Sequence, residues 1–107
     1  MGISVRVQEF TGDVVAALDG SADLGGLCAL AAMAPSAYPM LSGIDPYDDT
    51  CFNPLQAAMV ASELKALARQ TEREPIRDAV AVLLPLVALL ELAPGRPGHR
   101  RLIFIGD

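Results

Sequence analysis

The stretch Asn53–Gln70, NPLQAAMVASELKALARQ, carries the strongest helix signal of the chain and anchors its fold. Asn53 is a preferred N-cap, Pro54 suits the first helical position, and Gln56 stands where its side chain can accept the N–H of the cap residue. Apolar residues then recur at helical spacing: Leu55, Met59, Val60, Leu64 and Leu67. We predict a helix from Pro54 to about Gln70 that buries this stripe and turns the polar residues between its members to water.

A second apolar helix follows a short polar connection and begins at Pro75. Its apolar side chains spread round the whole circumference: Ile76, Val80, Leu83, Leu84, Val87 and Leu90. This distribution is typical of a helix buried at the centre of a molecule. Because Pro85 removes a backbone donor, we expect a kink near 81–85 or two consecutive short helices. The run Ala79–Leu90 would rise only about 18 Å, too short to cross a bilayer.

Both ends of the sequence have strand character. Ile3, Val5 and Val7 alternate with polar residues, which predicts a strand with one wet face. The continuous apolar run Leu102–Ile105 is typical of a strand buried on both faces. We expect these two strands to pair as neighbours in one sheet.

Two segments between the first strand and the central loop complete the predicted elements. Residues 14–19 fit either a short helix capped by Asp13 or the return strand of a hairpin, and we favour the helix because alanine is poor strand material. Leu24–Ala34 predicts another helix, with Ser21 or Asp23 as its cap. The expected fold is therefore α+β: one small domain, 1–107, in which two or three strands, the N- and C-terminal ones paired, are covered by three to four helices.

Composition excludes several classes of protein. The chain has 107 residues, of which 52% are hydrophobic and 20% charged, which excludes intrinsic disorder. A net charge of −5 disfavours nucleic acids and anionic membranes as partners. Two cysteines cannot form a disulfide framework, and the N-terminal residues lack the pattern of a secretory signal, so we expect a cytoplasmic protein with free thiols.

The longest irregular stretch is 35–53, PSAYPMLSGIDPYDDTCFN. We expect an ordered loop held by Met40, Leu41, Ile44 and Phe52. Long loops in small domains often carry function, so this loop is the first place to look for it.

Three carboxylates, Asp45, Asp48 and Asp49, fall within five residues of that loop. Carboxylate oxygens are ligands that hard divalent cations prefer, which makes the three aspartates candidate metal ligands. The spacing does not match a calcium-binding EF-hand loop. The pattern favours a turn that begins at Asp45 and leads toward the positive start of the following helix.

No catalytic arrangement stands out. His99 is the single histidine, and neither Ser42 nor Cys51 lies in a nucleophile motif. We therefore assign no catalytic and no cofactor-binding residue, and interpret Cys28 as a buried apolar side chain. For interaction with a partner the candidates are Tyr47, Asp48, Arg100 and Arg101, the two arginines belonging to a basic group with Arg96.

The segment Met40–Asn53 contains D-x-Y-x-D-T-x-F-N, a glutamine follows at position 56, Glu63–Leu67 reads E-L-x-x-L, and the last residues read FIGD. In these segments the chain resembles a family of small stand-alone proteins from GC-rich, actinobacterial-type bacteria. The family has no assigned activity, so the resemblance implies no catalytic residue. It marks DPYDDTCFN and FIGD as the segments to probe.

Three functions remain open. We favour a non-enzymatic interaction or regulatory module that binds a protein partner or itself, with no nucleic acid, membrane or cofactor involved. One alternative is binding of a small ligand or divalent metal at Asp45, Asp48 and Asp49, with Tyr47 as a lid. The other is an accessory enzyme of a biosynthetic pathway that uses Cys51, or the aspartates, with His99.

Overall fold

Four antiparallel strands form one sheet in the order β2-β1-β4-β3 in this computed structural model, which describes residues 2–18, 22–91 and 100–106. The strands are β1 (Ser4–Gln8), β2 (Val14–Leu18), β3 (Asp49–Phe52) and β4 (Arg101–Ile105). The helices are α1 (Leu24–Ala32), α2 (Pro54–Gln70) and α3 (Glu74–Ala88), with a short 3₁₀ turn at Leu41–Gly43. The α+β class is confirmed.

The pairing of the first and last strands is confirmed: β1 and β4 lie side by side at the centre of the sheet, with Val5 opposite Phe104. The expected two or three strands were too few, because the described residues form four. One strand, β3, has no counterpart among the predicted elements and lies inside the stretch that was predicted to be irregular. Four residues between a proline-rich loop and a helix are too few for a pattern, and β3 forms because β4 offers it a free edge.

The favoured helix at residues 14–19 is also wrong, since Val14–Leu18 is strand β2 and the hairpin alternative holds. The turn before it is tight: Gly12 has a φ of 94°, a conformation that glycine adopts without strain, and its N–H donates to the carbonyl of Glu9 at 2.9 Å. Pairing with β1 overrides the weak strand propensity of the alanines.

The predicted start of α2 is confirmed. The side chain of Asn53 accepts the N–H of Gln56 at 2.9 Å, and the Gln56 side chain accepts the N–H of Asn53 at the same distance. The buried stripe of α2 differs from the predicted one, because Leu55 and Met59 are 73% and 48% exposed and Glu63 is buried instead.

The helices cover one face of the sheet. Val5, Val7, Leu102 and Phe104 point into the core, where Phe104 meets the ring of Phe52 edge-on at 5.9 Å between centroids. Burial of β4 on both faces is not observed: its burial alternates, since Ile103 and Ile105 are only half-buried on the side away from the helices. A single layer of helices leaves that side open.

The expected central position of α3 is wrong. One side packs into the core through Ile76, Ala79, Val80, Leu83 and Val87, whereas the opposite side is exposed. The helix is one continuous element that runs through Pro85, so the alternative of two short helices does not hold. Among the described residues, no helix has both the length and the apolar character needed to cross a membrane.

Candidate functional site

The loop before β3 is ordered by a buried carboxylate. Glu63 of α2, only 8% exposed, accepts the N–H of Met40 on both oxygens at 3.0 and 3.1 Å and the N–H of Leu41 at 3.0 Å. Tyr38 donates its hydroxyl to Gln70 at 2.7 Å. These bonds tie the loop to the middle and to the C-terminal end of α2. Leu41, Ile44 and Phe52 are buried beneath the loop as expected, with Met40 half-buried.

Two of the three loop aspartates, Asp45 and Asp48, accept hydrogen bonds within the turn, and Asp49 begins β3. Asp45 accepts the N–H of Tyr47 at 2.8 Å, and its own N–H donates to Thr50 Oγ1 at 2.9 Å. Asp48 accepts the N–H of Asp49 at 2.8 Å. Throughout the part of the chain that the structure describes, no group of three or more His, Cys, Asp or Glu side chains is placed to hold a metal ion.

The two segments marked by the resemblance, DPYDDTCFN and FIGD, meet in space. Gly106 donates its N–H to the carbonyl of Asp48 at 3.0 Å. A Cβ atom at Gly106 would lie 2.5–2.6 Å from backbone atoms of Pro46, Tyr47 and Asp48, so only glycine permits this approach. The contact fixes the turn against the end of β4.

The four interaction candidates do not form one surface. Tyr47 and Asp48 are exposed beside Gly106, beyond the end of β4, whereas Arg100 and Arg101 stand at its start. Arg100 bridges Glu9 at 2.8 Å and the carbonyl of Leu89 at 2.8 Å, a structural role that joins β1, β4 and the end of α3.

Of the residues considered for an enzyme, Asp49 and Cys51 share the exposed side of β3, and the other described ones lie elsewhere. Cys51 is exposed on β3 and Cys28 is buried in α1, where burial raises the pKa of the Cys28 thiol to about 12. Ser42 donates its hydroxyl to the carbonyl of Pro39 at 3.3 Å. His99 and Arg96 lie outside the described residues.

A groove of about 830 Å³ runs along the outer side of α2 and α3. Its floor and walls are small or apolar: Leu55, Ala58, Ala61, Leu84, Pro85 and Ala88. We call it the α2–α3 groove. The two charged residues among the described ones that line it are Lys65 and Glu91.

Charge is segregated along the α2–α3 hairpin. The exposed positions near the connection between the helices are charged or polar: Lys65, Arg69, Arg73, Arg77 and Asp78. Farther along, the exposed positions carry no charge: Leu55, Ala58, Met59 and Ser62 on α2, and Ala81, Val82, Pro85 and Ala88 on α3. Solvent-facing helix positions are ordinarily charged, so half of this hairpin is built like a covered surface.

Sequence reasoning missed this groove although its signal was present. The apolar residues round the whole of α3 were read as evidence of central burial, and Leu55 and Met59 were read as core. Both observations fit a pair of helices that has apolar residues on the side facing the core and also on the side facing solvent. A sequence alone does not say whether the second side is covered by the same chain.

A second open surface is the outer side of the sheet. It mixes half-buried Ile103 and Ile105 with Arg6, Asp49 and Arg101. A smaller cavity of about 260 Å³, lined in part by Cys28, Ile44 and Tyr47, lies between α1 and the loop. Neither is as extended and uncharged as the α2–α3 groove.

The comparisons with known proteins assign nothing: no protein-family model, no curated protein and no solved structure matches the chain. The resemblance drawn from DPYDDTCFN and FIGD stays a prediction. Any functional argument therefore starts from the described residues themselves.

Proposed function

We propose that this protein is a non-enzymatic interaction module of the cytoplasm that binds protein through the α2–α3 groove. The observation that carries the proposal is the uncharged exposed half of the hairpin, where Leu55 is 73% exposed and Met59 48% exposed beside alanines and Pro85. Contiguous apolar surface on a small domain marks an interaction site.

The backbone of α3 adds a second reason. Pro85 has no N–H to donate to the carbonyl of Ala81, one turn earlier, and both residues line the groove. A proline in the interior of an exposed helix lowers the stability of that helix when no partner covers it. A partner that covers this side can pack against the ring of Pro85 and can donate a hydrogen bond to the carbonyl of Ala81.

Two other functions considered from the sequence have weaker support. The carboxylates of Asp45 and Asp48 accept N–H groups within their own turn, which weakens the case for a metal site. Asp49 and Cys51 lie on β3, whereas Ser42 lies in the 3₁₀ turn and donates its hydroxyl to Pro39. The outer side of the sheet is less suitable for docking, because Arg6, Asp49 and Arg101 interrupt its apolar residues.

The test compares capture of binding partners by three forms of the full chain. Wild type, Ala58→Arg in the groove and Ala17→Arg on the outer side of the sheet are tagged and isolated from a lysate of the native host. Co-purifying proteins are identified by mass spectrometry, and light scattering gives the mass of each purified form. Both alanines are exposed, so neither arginine is forced into the core.

We expect wild type and Ala17→Arg to associate stoichiometrically with a protein, either another chain or a second copy, and Ala58→Arg to lose it. Loss with Ala17→Arg and retention with Ala58→Arg would move the interaction to the sheet and refute the groove. A wild-type chain that is monomeric and captures no protein would refute the interaction module itself.

A further inference from the structure

We infer that a second copy of the chain covers the α2–α3 groove, so that the grooves of the two copies face each other. The copies are related by a two-fold axis that runs across α2 and α3 at the level of Ala58 and Ala61. The inference rests on the proposed function, because it names the partner for the surface proposed there. The two charged residues of the groove, Lys65 and Glu91, determine how the two copies are oriented relative to each other.

Lys65 and Glu91 stand at opposite ends of the groove. A connection of three residues, 71–73, makes α2 and α3 antiparallel, so Glu91, which follows α3, lies beside the start of α2. Lys65 is ten residues beyond Leu55, which is about 15 Å along the helix. The groove therefore has a positive end, an uncharged middle and a negative end.

This charge pattern is complementary to itself in one orientation. A two-fold axis that lies across the groove reverses the direction along the helices and places Lys65 of each copy against Glu91 of the other. A two-fold axis along the helices instead places Lys65 of both copies at one end and Glu91 of both copies at the other, so like charges share each end. Opposite charges at an interface fix its orientation and register, so the antiparallel arrangement is favoured.

The middle of the groove suits such contact. Ala58 and Ala61 lie near the axis, and their small side chains let two α2 helices approach closely. Leu55 of each copy would cover the partner's groove on the far side of the axis. Among the described acidic residues only Glu91 lines the groove, so the net charge of −5 is carried elsewhere.

The test is a charge exchange followed by sedimentation over a range of protein concentrations up to about 1 mM. In K65E alone, two carboxylates meet at each end of the interface, and in E91K alone, two ammonium groups meet. Mixed in equal amounts, the two variants form a heterodimer in which both ends again pair opposite charges. R69E, with the same charge change on the same helix outside the groove, is the matched control.

We expect wild type and R69E to dimerise, each single variant to dimerise about tenfold more weakly, and the equal mixture to regain the wild-type constant. The double variant K65E/E91K recovers as well. All three substituted positions, Lys65, Arg69 and Glu91, are exposed, so circular dichroism should show unchanged folding.

Two results would overturn the inference. One is a wild-type dimer that K65E and E91K leave unchanged, since its interface would lie elsewhere. The other is a wild-type monomer at every concentration. If that monomer still binds a different protein that Ala58→Arg releases, the interaction module stands and only self-association fails.

Discussion

At the scale of single residues, Gly106 and Cys28 show how local contacts constrain this chain. Gly106 permits the backbone approach that fixes the DPYDDT turn against β4. Cys28 was interpreted from its sequence surroundings as a buried apolar side chain, and it is buried. The need for glycine at position 106 was not predictable, because its contacts come from residues almost sixty positions earlier.

Gly106→Ala should lower the free energy of unfolding by about 2–3 kcal/mol, because the new methyl group meets backbone atoms that cannot rotate away. Denaturant unfolding measures the loss. Gly25→Ala is the control: its Cβ has open space, so stability should stay equal or rise by at most about 1 kcal/mol. Equal stability of Gly106→Ala and wild type would contradict the close approach.

The two cysteines should differ in reactivity toward a small aromatic disulfide. Cys51 is exposed and should react at once, whereas Cys28 should react only as the chain unfolds. Burial raises the pKa of Cys28 from 9.0 to about 12, so above about pH 9 the unfolded thiol ionises while the folded one does not. Stability should therefore decline as pH rises through this range.

Unfolding of wild type and Cys28→Ala at about pH 8 and about pH 10.5 isolates this contribution. Wild type should lose more stability between the two values than the variant does. Immediate reaction of both thiols in the folded protein, or equal losses in the two forms, would contradict burial of Cys28.

At the scale of elements, a capping signal contained in four residues was sufficient for the start of α2, whereas strand β2 and the burial of Glu63 depend on distant contacts. The start of α2 was predictable because the Asn53–Gln56 capping box is local. Strand β2 was missed because its alanines become a strand only by pairing with β1. The burial of Glu63 was missed for a related reason: a carboxylate is buried when distant N–H groups, here those of Met40 and Leu41, satisfy it.

Glu63→Gln should destabilise the fold by about 1–3 kcal/mol, because an amide offers one acceptor oxygen and turns its NH₂ group toward the backbone donors. Hydrogen exchange at Met40 and Leu41 should accelerate as the loop loosens. Glu72→Gln, an exposed control, should change stability by less than about 0.5 kcal/mol. Equal effects of the two substitutions would contradict the role assigned to Glu63.

At the scale of the whole molecule, the structure holds a surplus of apolar surface outside its single core. From the sequence, the surplus was visible as 52% hydrophobic residues and as an α3 apolar on every side, but its location was not. The terminal strands and the helices were predictable from the spacing of their apolar residues, and the pairing of those strands was expected because both needed a neighbour in one small sheet. The α2–α3 groove was not, since it arises from how two helices sit side by side.

The central claim is that this groove is covered in the associated protein, and oxidation of methionines tests it most directly. Met59 lies on the uncharged side of α2 beside the groove, whereas Met33, 82% exposed, follows α1. Dilute hydrogen peroxide oxidises exposed thioethers, and mass spectrometry gives the rate at each residue. The rates are compared at protein concentrations below and above the dimer dissociation constant, with E91K as a control.

Association through the groove predicts that Met59 becomes protected as concentration rises in wild type, that Met33 keeps its rate, and that E91K shows less protection at the same concentration. Unchanged oxidation of Met59 in a wild-type sample that sedimentation shows to be dimeric would contradict the account, because the interface would then leave open the uncharged side of α2 beside the groove.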